Sequence, residues 1–116
     1  MAKIKILTLV FSYILSVTVA FAGPYDGDWV FIIKTQVGSG CSASPGKVSI
    51  TNGKIKGSLK TEGTIQRVRG KIKDDGTFKG TVGRGLAFYE GKATPKSGSG
   101  TWKNSFGCRG TVTIRK

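Results

Sequence analysis

The side chains of this sequence with the clearest capacity for chemistry are cations. Lys54, Lys56, Lys60, Arg67, Arg69, Lys71, Lys73 and Lys79 fall within one stretch, where they alternate with Ile55, Leu59, Val68, Ile72 and Phe78. Period-two alternation sends the two sets to opposite faces of a strand, so a basic face backs onto an apolar one. Neighbouring strands stand about 4.8 Å apart, and cations at that spacing repel one another unless an anion shares them. The chemistry on offer is electrostatic: docking of a polyanion through Lys54, Lys56, Arg67, Arg69, Lys71 and Lys79. The plain alternative is a solvated face that discourages aggregation, a common use of lysine on sheets.

Other chemistries have little to work with. The chain has no histidine. Asp26 and Asp28 flank a turn, and Asp74 and Asp75 occupy a hairpin tip, where Asp is an ordinary turn former. Ser39, Ser42, Ser44, Ser97 and Ser99 lie in Gly-rich segments with no base patterned beside them. The GTVGRG run, Gly80–Gly85, lacks the Lys-Ser/Thr ending and the following helix of a phosphate loop. Two cysteines without histidine do not make a metal site. No catalysis and no cofactor are expected.

The N-terminus bears on compartment. Met1–Lys5 carry two lysines, Ile6–Phe21 are almost wholly apolar, and Ala20-Phe21-Ala22 is a small-x-small cleavage site. This predicts a secretory signal peptide over 1–22, removed after Ala22, with a retained membrane anchor as the competing reading. No cysteine follows the site at once, so no lipid anchor is expected. Removing 22 of 116 residues leaves 94, one small domain over 23–116. Two of the nineteen basic residues leave with the signal and all six acidic ones stay, for a mature net charge of +11. A periplasmic or secreted location follows. There Cys41 and Cys108 should pair, closing a loop of 67 positions, 41 to 108, worth roughly 4 kcal/mol by loop entropy.

The elements that carry these residues read as strands throughout. Asp28–Gln36 is a strand with apolar residues on both faces, which implies cover on both sides, or one side packed under a loop. Gly38–Gly46 is a loop by composition. Asn52-Gly53 predicts a two-residue hairpin that sets Ile50 against Ile55 and Val48 against Gly57. A three-residue turn, Asp74–Gly76 with Gly76 left-handed, opposes Ile72 to Phe78, Gly70 to Gly80 and Val68 to Val82. Ile65 breaks parity with Val68, which predicts a bulge near Gln66 or a frayed strand start. A four-residue loop, Gly83–Leu86, sets Tyr89 across from Gly80, Phe78 across from Gly91 and Glu90 opposite Lys79. Ala93–Gly100 reads as a turn-rich link before a short strand, Gly100–Lys103, and Cys108–Lys116 as the last strand.

Eight short strands with turn signals every 8–12 residues predict an all-β antiparallel meander: a closed or nearly closed barrel with one disulfide, or alternatively a β-sandwich. The cysteines favour closure, because they come together if the first and last strands are antiparallel neighbours. Inward glycines at 57, 70, 80, 91, 100 and 110 suit strongly coiled strands in a narrow barrel. They could leave a slot for a small apolar ligand, walled by Trp29, Phe31, Phe78, Phe88 or Tyr89, and Trp102. The bland reading is that those aromatics fill the space.

The ends of the mature chain carry a resemblance. Y-D-G-x-W at Tyr25–Trp29, G-T-W at Gly100–Trp102 and C-x-G-T-x-x-x-R at Cys108–Arg115 resemble small exported bacterial all-β proteins of undefined function. More distantly, G-x-W on the first strand with an arginine on the last is similar to calycin-type barrels. That resemblance implies a structural cation–π contact in which Arg115 packs across Trp29 and closes the barrel bottom. In length, barrel and disulfide the chain also resembles periplasmic metalloprotease inhibitors, whose inhibitory trunk has no counterpart here. The match covers about a quarter of the mature chain. Lysozyme inhibitors do not fit, since a +11 protein repels a cationic target.

The function expected is thus a non-catalytic exported binding protein with a basic sheet face for an anionic envelope component: lipid, lipopolysaccharide or an acidic protein. Nucleic acid is the least favoured partner, since no aromatic is interleaved with the cations between Lys54 and Lys73. The alternative is a calycin-like carrier or protease inhibitor that uses the barrel mouth.

Overall fold

The computed structural model describes residues 23–116; the expected signal segment, 1–22, lies outside the described residues. Eight strands follow in order: β1 Gly27–Val37, β2 Gly46–Thr51, β3 Lys54–Thr61, β4 Thr64–Ile72, β5 Thr77–Val82, β6 Ala87–Ala93, β7 Ser97–Asn104 and β8 Arg109–Arg115. Each pairs antiparallel with the next, and β8 pairs with β1, closing the barrel. Closure leaves no unpaired sheet edge.

Turn chemistry sets the register as expected. Asn52 and Gly53 both have positive φ (52° and 77°), and Ile50 faces Ile55 while Val48 faces Gly57. Between β4 and β5, Gly76 takes φ 92° and Ile72, Gly70 and Val68 oppose Phe78, Gly80 and Val82. Asp75 Oδ1 accepts the Thr77 N–H at 2.9 Å, and that bond holds the Asp75 carboxyl below its ordinary pKa. Between β5 and β6, Gly80 meets Tyr89, Phe78 meets Gly91 and Lys79 meets Glu90.

Three expectations about the strands need correction. β4 has neither bulge nor frayed start: its ladder with β3 runs unbroken to Thr61–Thr64. Ile65 keeps the outer parity of Arg67 and Arg69 and is 67% exposed. The irregularity lies instead in β1, between Thr35 and Val37 opposite β8. β7 begins at Ser97 rather than Gly100, because the turn shrinks to Thr94–Lys96: Thr94 N donates to the Ser97 carbonyl (2.8 Å), and Thr94 Oγ1 accepts from Lys96 N and Ser97 N (3.3 Å each). The segment's Gly and Ser residues carry no hydrophobic alternation that would announce a strand. Finally, β1 is not covered on both sides, since Val30 on its outer face is 40% exposed.

The core is one cluster, with Trp29, Phe31, Phe78, Ile50, Ile114, Val68 and Val112 fully buried. Aromatic rings take the space above the inward glycines. Tyr89 stands edge-on to Phe31 at 4.9 Å, and its hydroxyl crosses Gly70 and Gly80 to donate to the Arg69 carbonyl at 2.8 Å. Burial drives the Tyr89 pKa strongly upward. The barrel interior is therefore filled, as small eight-stranded barrels are, and the apolar slot is not there.

The two ends are tied differently. At the end where β1 starts, Trp29 Nε1 donates to the Tyr25 carbonyl (2.8 Å), and Asp26 Oδ1 accepts from Asn52 N (3.0 Å). The cation over the Trp29 ring is Lys116, its Nζ 5.7 Å from the centroid, not Arg115. Arg115 pairs with Val30, so its side chain leaves on the outer face, whereas the next residue returns to the inner parity. At the other end Cys41 and Cys108 form a disulfide, Cα–Cα 6.5 Å, which ties the segment after β1 to the start of β8. An Ala43–Thr61 bridge and a Ser44 N bond to the Lys60 carbonyl (2.9 Å) fasten the same segment to β3.

Candidate functional site: a basic outer face

The register converts alternation along each strand into rows of charge across strands. Lys54 faces Lys71, and Lys71 faces Lys79, a row of three cations that ends against Glu90. In the next row Lys56 faces Arg69, which faces Thr81; Arg67 faces Ser58 in the row beyond. All six predicted cations are exposed. The structure brings them onto one continuous surface: Lys54, Lys56, Arg67, Arg69 and Lys71 surround one shallow depression over β3 and β4.

Arg69, Lys71 and Lys79 also border a larger groove of about 960 Å³ over β4 to β8. Its lining includes Gly70, Gly80 and Gly110, together with Tyr89 and Trp102, whose rings lie in the core. At Gly80 a Cβ would stand 2.6 Å from the Gly70 Cα and would also meet the Tyr89 hydroxyl and the Arg69 carbonyl. Only bare backbone permits so close an approach. Trp102 Nε1 donates to the Lys34 carbonyl (3.0 Å), fixing the far side of the floor.

Lys103, Arg109 and Phe88 border the groove as well, and the sequence reading missed them as site residues. The register carries the missing signal: Thr81 faces Phe88, Phe88 faces Lys103, and Lys103 faces Arg109, so the Lys56–Arg69 row continues across the barrel. Phe88, 51% exposed, points outward while Tyr89 points in. One outward aromatic does not make the series of stacking platforms that a single-strand nucleic-acid surface uses.

The surface is suited to hold an anion. Its exposed ammonium and guanidinium groups can share an anion of several charges, the guanidiniums in bidentate fashion. Among the described residues, no three His, Cys, Asp or Glu side chains cluster as a metal site would require, and no helix is long and apolar enough to cross a membrane. The strands present Lys, Arg, Ser and Thr outward and their apolar residues inward, the reverse of the lipid-facing band of a transmembrane barrel. No protein-family model, no curated protein and no solved structure matches this chain.

Proposed function

We propose that this is an exported, non-catalytic binding protein whose basic outer face takes an anionic component of the cell envelope, a phospholipid or lipopolysaccharide headgroup. One observation carries the reading: two adjoining rows, Lys54–Lys71–Lys79 and Lys56–Arg69, keep five cations face to face on three neighbouring strands. Like charges directly opposite one another weaken a sheet. A multivalent anion turns that repulsion into attraction, and the groove beside the rows gives it a concave seat. The carrier or inhibitor reading loses its support with the filled interior, because it needs an open barrel mouth. An acidic protein partner meets the same charges and is separated by the test.

The test is co-sedimentation with vesicles of phosphatidylglycerol and with lipopolysaccharide. Binding should weaken steeply as salt rises, since exposed charges are screened within about 8 Å at physiological ionic strength. It should be lost when Lys56, Arg69 and Lys71 are changed together to Gln. Salt-indifferent binding, binding that survives the triple substitution, or capture of acidic protein with no vesicle binding would each refute the proposal.

A further inference from the structure

The exposed apolar side chains of the barrel are not scattered. Val37, Ile65, Phe88 and Phe106 are four of its five exposed large hydrophobics, at 44%, 67%, 51% and 75%, and all belong to one half of the barrel. In a meander alternate connections share an end, so the turns at 62–63, 83–86 and 105–107 project together there. Ile65, Leu86 and Phe106 border a single depression of about 1040 Å³, and Arg67, Arg69 and Arg84 border it with them. Three of the five arginines, Arg67, Arg84 and Arg109, lie in this half, and Arg69, near the middle of β4, borders the same depression. Asp26, Asp28, Asp74 and Asp75 lie in the opposite one. The barrel is therefore polarised, with an apolar and guanidinium-rich end facing away from those four of its six carboxylates; Glu62, in the 62–63 turn, is the carboxylate at this end, and it accepts a hydrogen bond from Ser42 Oγ (3.0 Å).

We infer that this end is a membrane-docking end, which sets Phe106, Ile65 and Leu86 into the interface of an anionic phospholipid bilayer while Arg67, Arg69 and Arg84 bind lipid phosphates. The inference rests on the proposed function for its anionic ligand and shares with it Arg67 and Arg69, the part of the basic face that reaches this depression; Lys54 and Lys71 lie towards the other end and would meet headgroups only along the side of the barrel. Interleaving argues for a bilayer rather than a protein. Core regions of protein interfaces are depleted of charge, whereas here three apolar side chains and three guanidiniums line the same depression. Interfacial membrane anchors have the opposite habit: apolar groups sink below the headgroups while neighbouring Arg and Lys stay at the phosphate level. Tight turns held by the protein's own bonds present the tips rigidly. Asn104 Oδ1 accepts from Phe106 N (2.9 Å) and Cys108 N (3.0 Å), and the disulfide anchors the strand that follows.

The experiment uses residues 23–116, the span whose strands close the barrel, with vesicles of phosphatidylglycerol or of phosphatidylcholine. In Phe106→Trp the new indole should shift its emission to the blue on phosphatidylglycerol, and brominated acyl chains should quench it beyond the wild-type background. Ile65→Ser with Phe106→Ser should lower affinity about tenfold for each side chain that enters lipid. Both positions are exposed, so the fold should tolerate the change; an unaltered thermal midpoint checks this. Emission of the introduced indole that stays unshifted on bound vesicles, or full affinity in the double serine variant, would overturn the inference and leave the electrostatic proposal standing. Shielding of that indole by an acidic protein but not by vesicles would overturn it too. Failure of the wild type to bind phosphatidylglycerol or lipopolysaccharide at all would remove both.

Discussion

Lys71 is the position at which stability and binding should pull in opposite directions. It stands between Lys54 and Lys79 in the cross-strand row, with Cβ atoms of opposed residues about 5 Å apart. Splaying of the side chains puts the ammonium groups about 7 Å apart, where Coulomb repulsion in water is about 0.6 kcal/mol per pair. Screening over a Debye length of about 8 Å reduces this to about 0.25 kcal/mol. Lys71→Gln removes two such repulsions, a gain of about 0.5 kcal/mol, and Lys71→Glu converts them to attractions, a gain of about 1 kcal/mol. In a domain of this size that raises the thermal midpoint by about 2–4 °C and 4–8 °C respectively. The same substitutions should weaken binding to an anionic bilayer, by about fivefold and thirtyfold at roughly 1 kcal/mol per charge near the surface. Calorimetry at low salt and at 1 M salt, with vesicle binding measured beside it, decides the matter. If Lys71→Glu is destabilising at low salt, or if its effect is the same at 1 M salt, the lysines are not in electrostatic conflict and the basis of the site is gone.

Three further outcomes follow from the barrel itself. Gly80→Ala should cost about 3 kcal/mol or more, or prevent folding, because the new Cβ meets the Arg69 carbonyl and the Gly70 Cα, which are backbone and cannot swing away, as well as the Tyr89 hydroxyl; Ser99→Ala, exposed on β7, should change the denaturation midpoint little. Cys41→Ser should lower stability by roughly 4 kcal/mol through the freed loop of 67 positions, with reducing agent reproducing the loss in the wild type only. Tyr89 should make the protein sensitive to alkali. Below pH 10 folded and unfolded states both keep the phenolic proton; above it the unfolded chain loses the proton first, so stability falls with rising pH by up to about 1.4 kcal/mol per pH unit. Tyr89→Phe should remove one proton's worth of that slope, at a cost near neutrality of about 1 kcal/mol for the lost bond to the Arg69 carbonyl; an unchanged alkaline slope would mean that the Tyr89 hydroxyl is not the buried group.

What is legible in the sequence is whatever a local rule determines. Asn52-Gly53 and Asp74–Gly76 set their registers because positive φ is available at few residues, and each register can be checked by whether apolar faces coincide. The six predicted cations emerge on one surface because parity within a strand and register between strands suffice to place them. β7 is only partly legible, since Ser97–Gly100 has no alternation and its pairing comes from neighbours on both sides. Lys103 and Arg109 fall in strands the sequence does mark, but without the β6–β7–β8 register nothing places them beside Phe88 in the site. Ile65 misleads for another reason: an apolar residue at an outward position mimics a fault in the strand. Its place among Leu86 and Phe106, from turns far apart in the chain, becomes visible only when the barrel is closed. The Trp29 partner differs by one residue, Lys116 for Arg115, since analogy supplies a residue type and parity decides which side chain turns inward.

The glycine row joins the fold to the site. Without side chains at 70 and 80, the strands β4 and β5 approach closely enough for the Tyr89 hydroxyl to span them from inside, which fills the barrel and excludes an internal ligand. The same two glycines lie among Arg69, Lys71 and Lys79 in the lining of the outer groove. The residues that let Tyr89 fill the interior are thus flanked on the outside by the cations of the site. A basic protein that needed only solubility could spread its lysines evenly and avoid opposing them. This chain opposes Lys54, Lys71 and Lys79 directly, with Ser and Thr at many other outward positions that could have carried the charge. A repulsion maintained against a concave floor is most simply understood as one that a bound anion relieves.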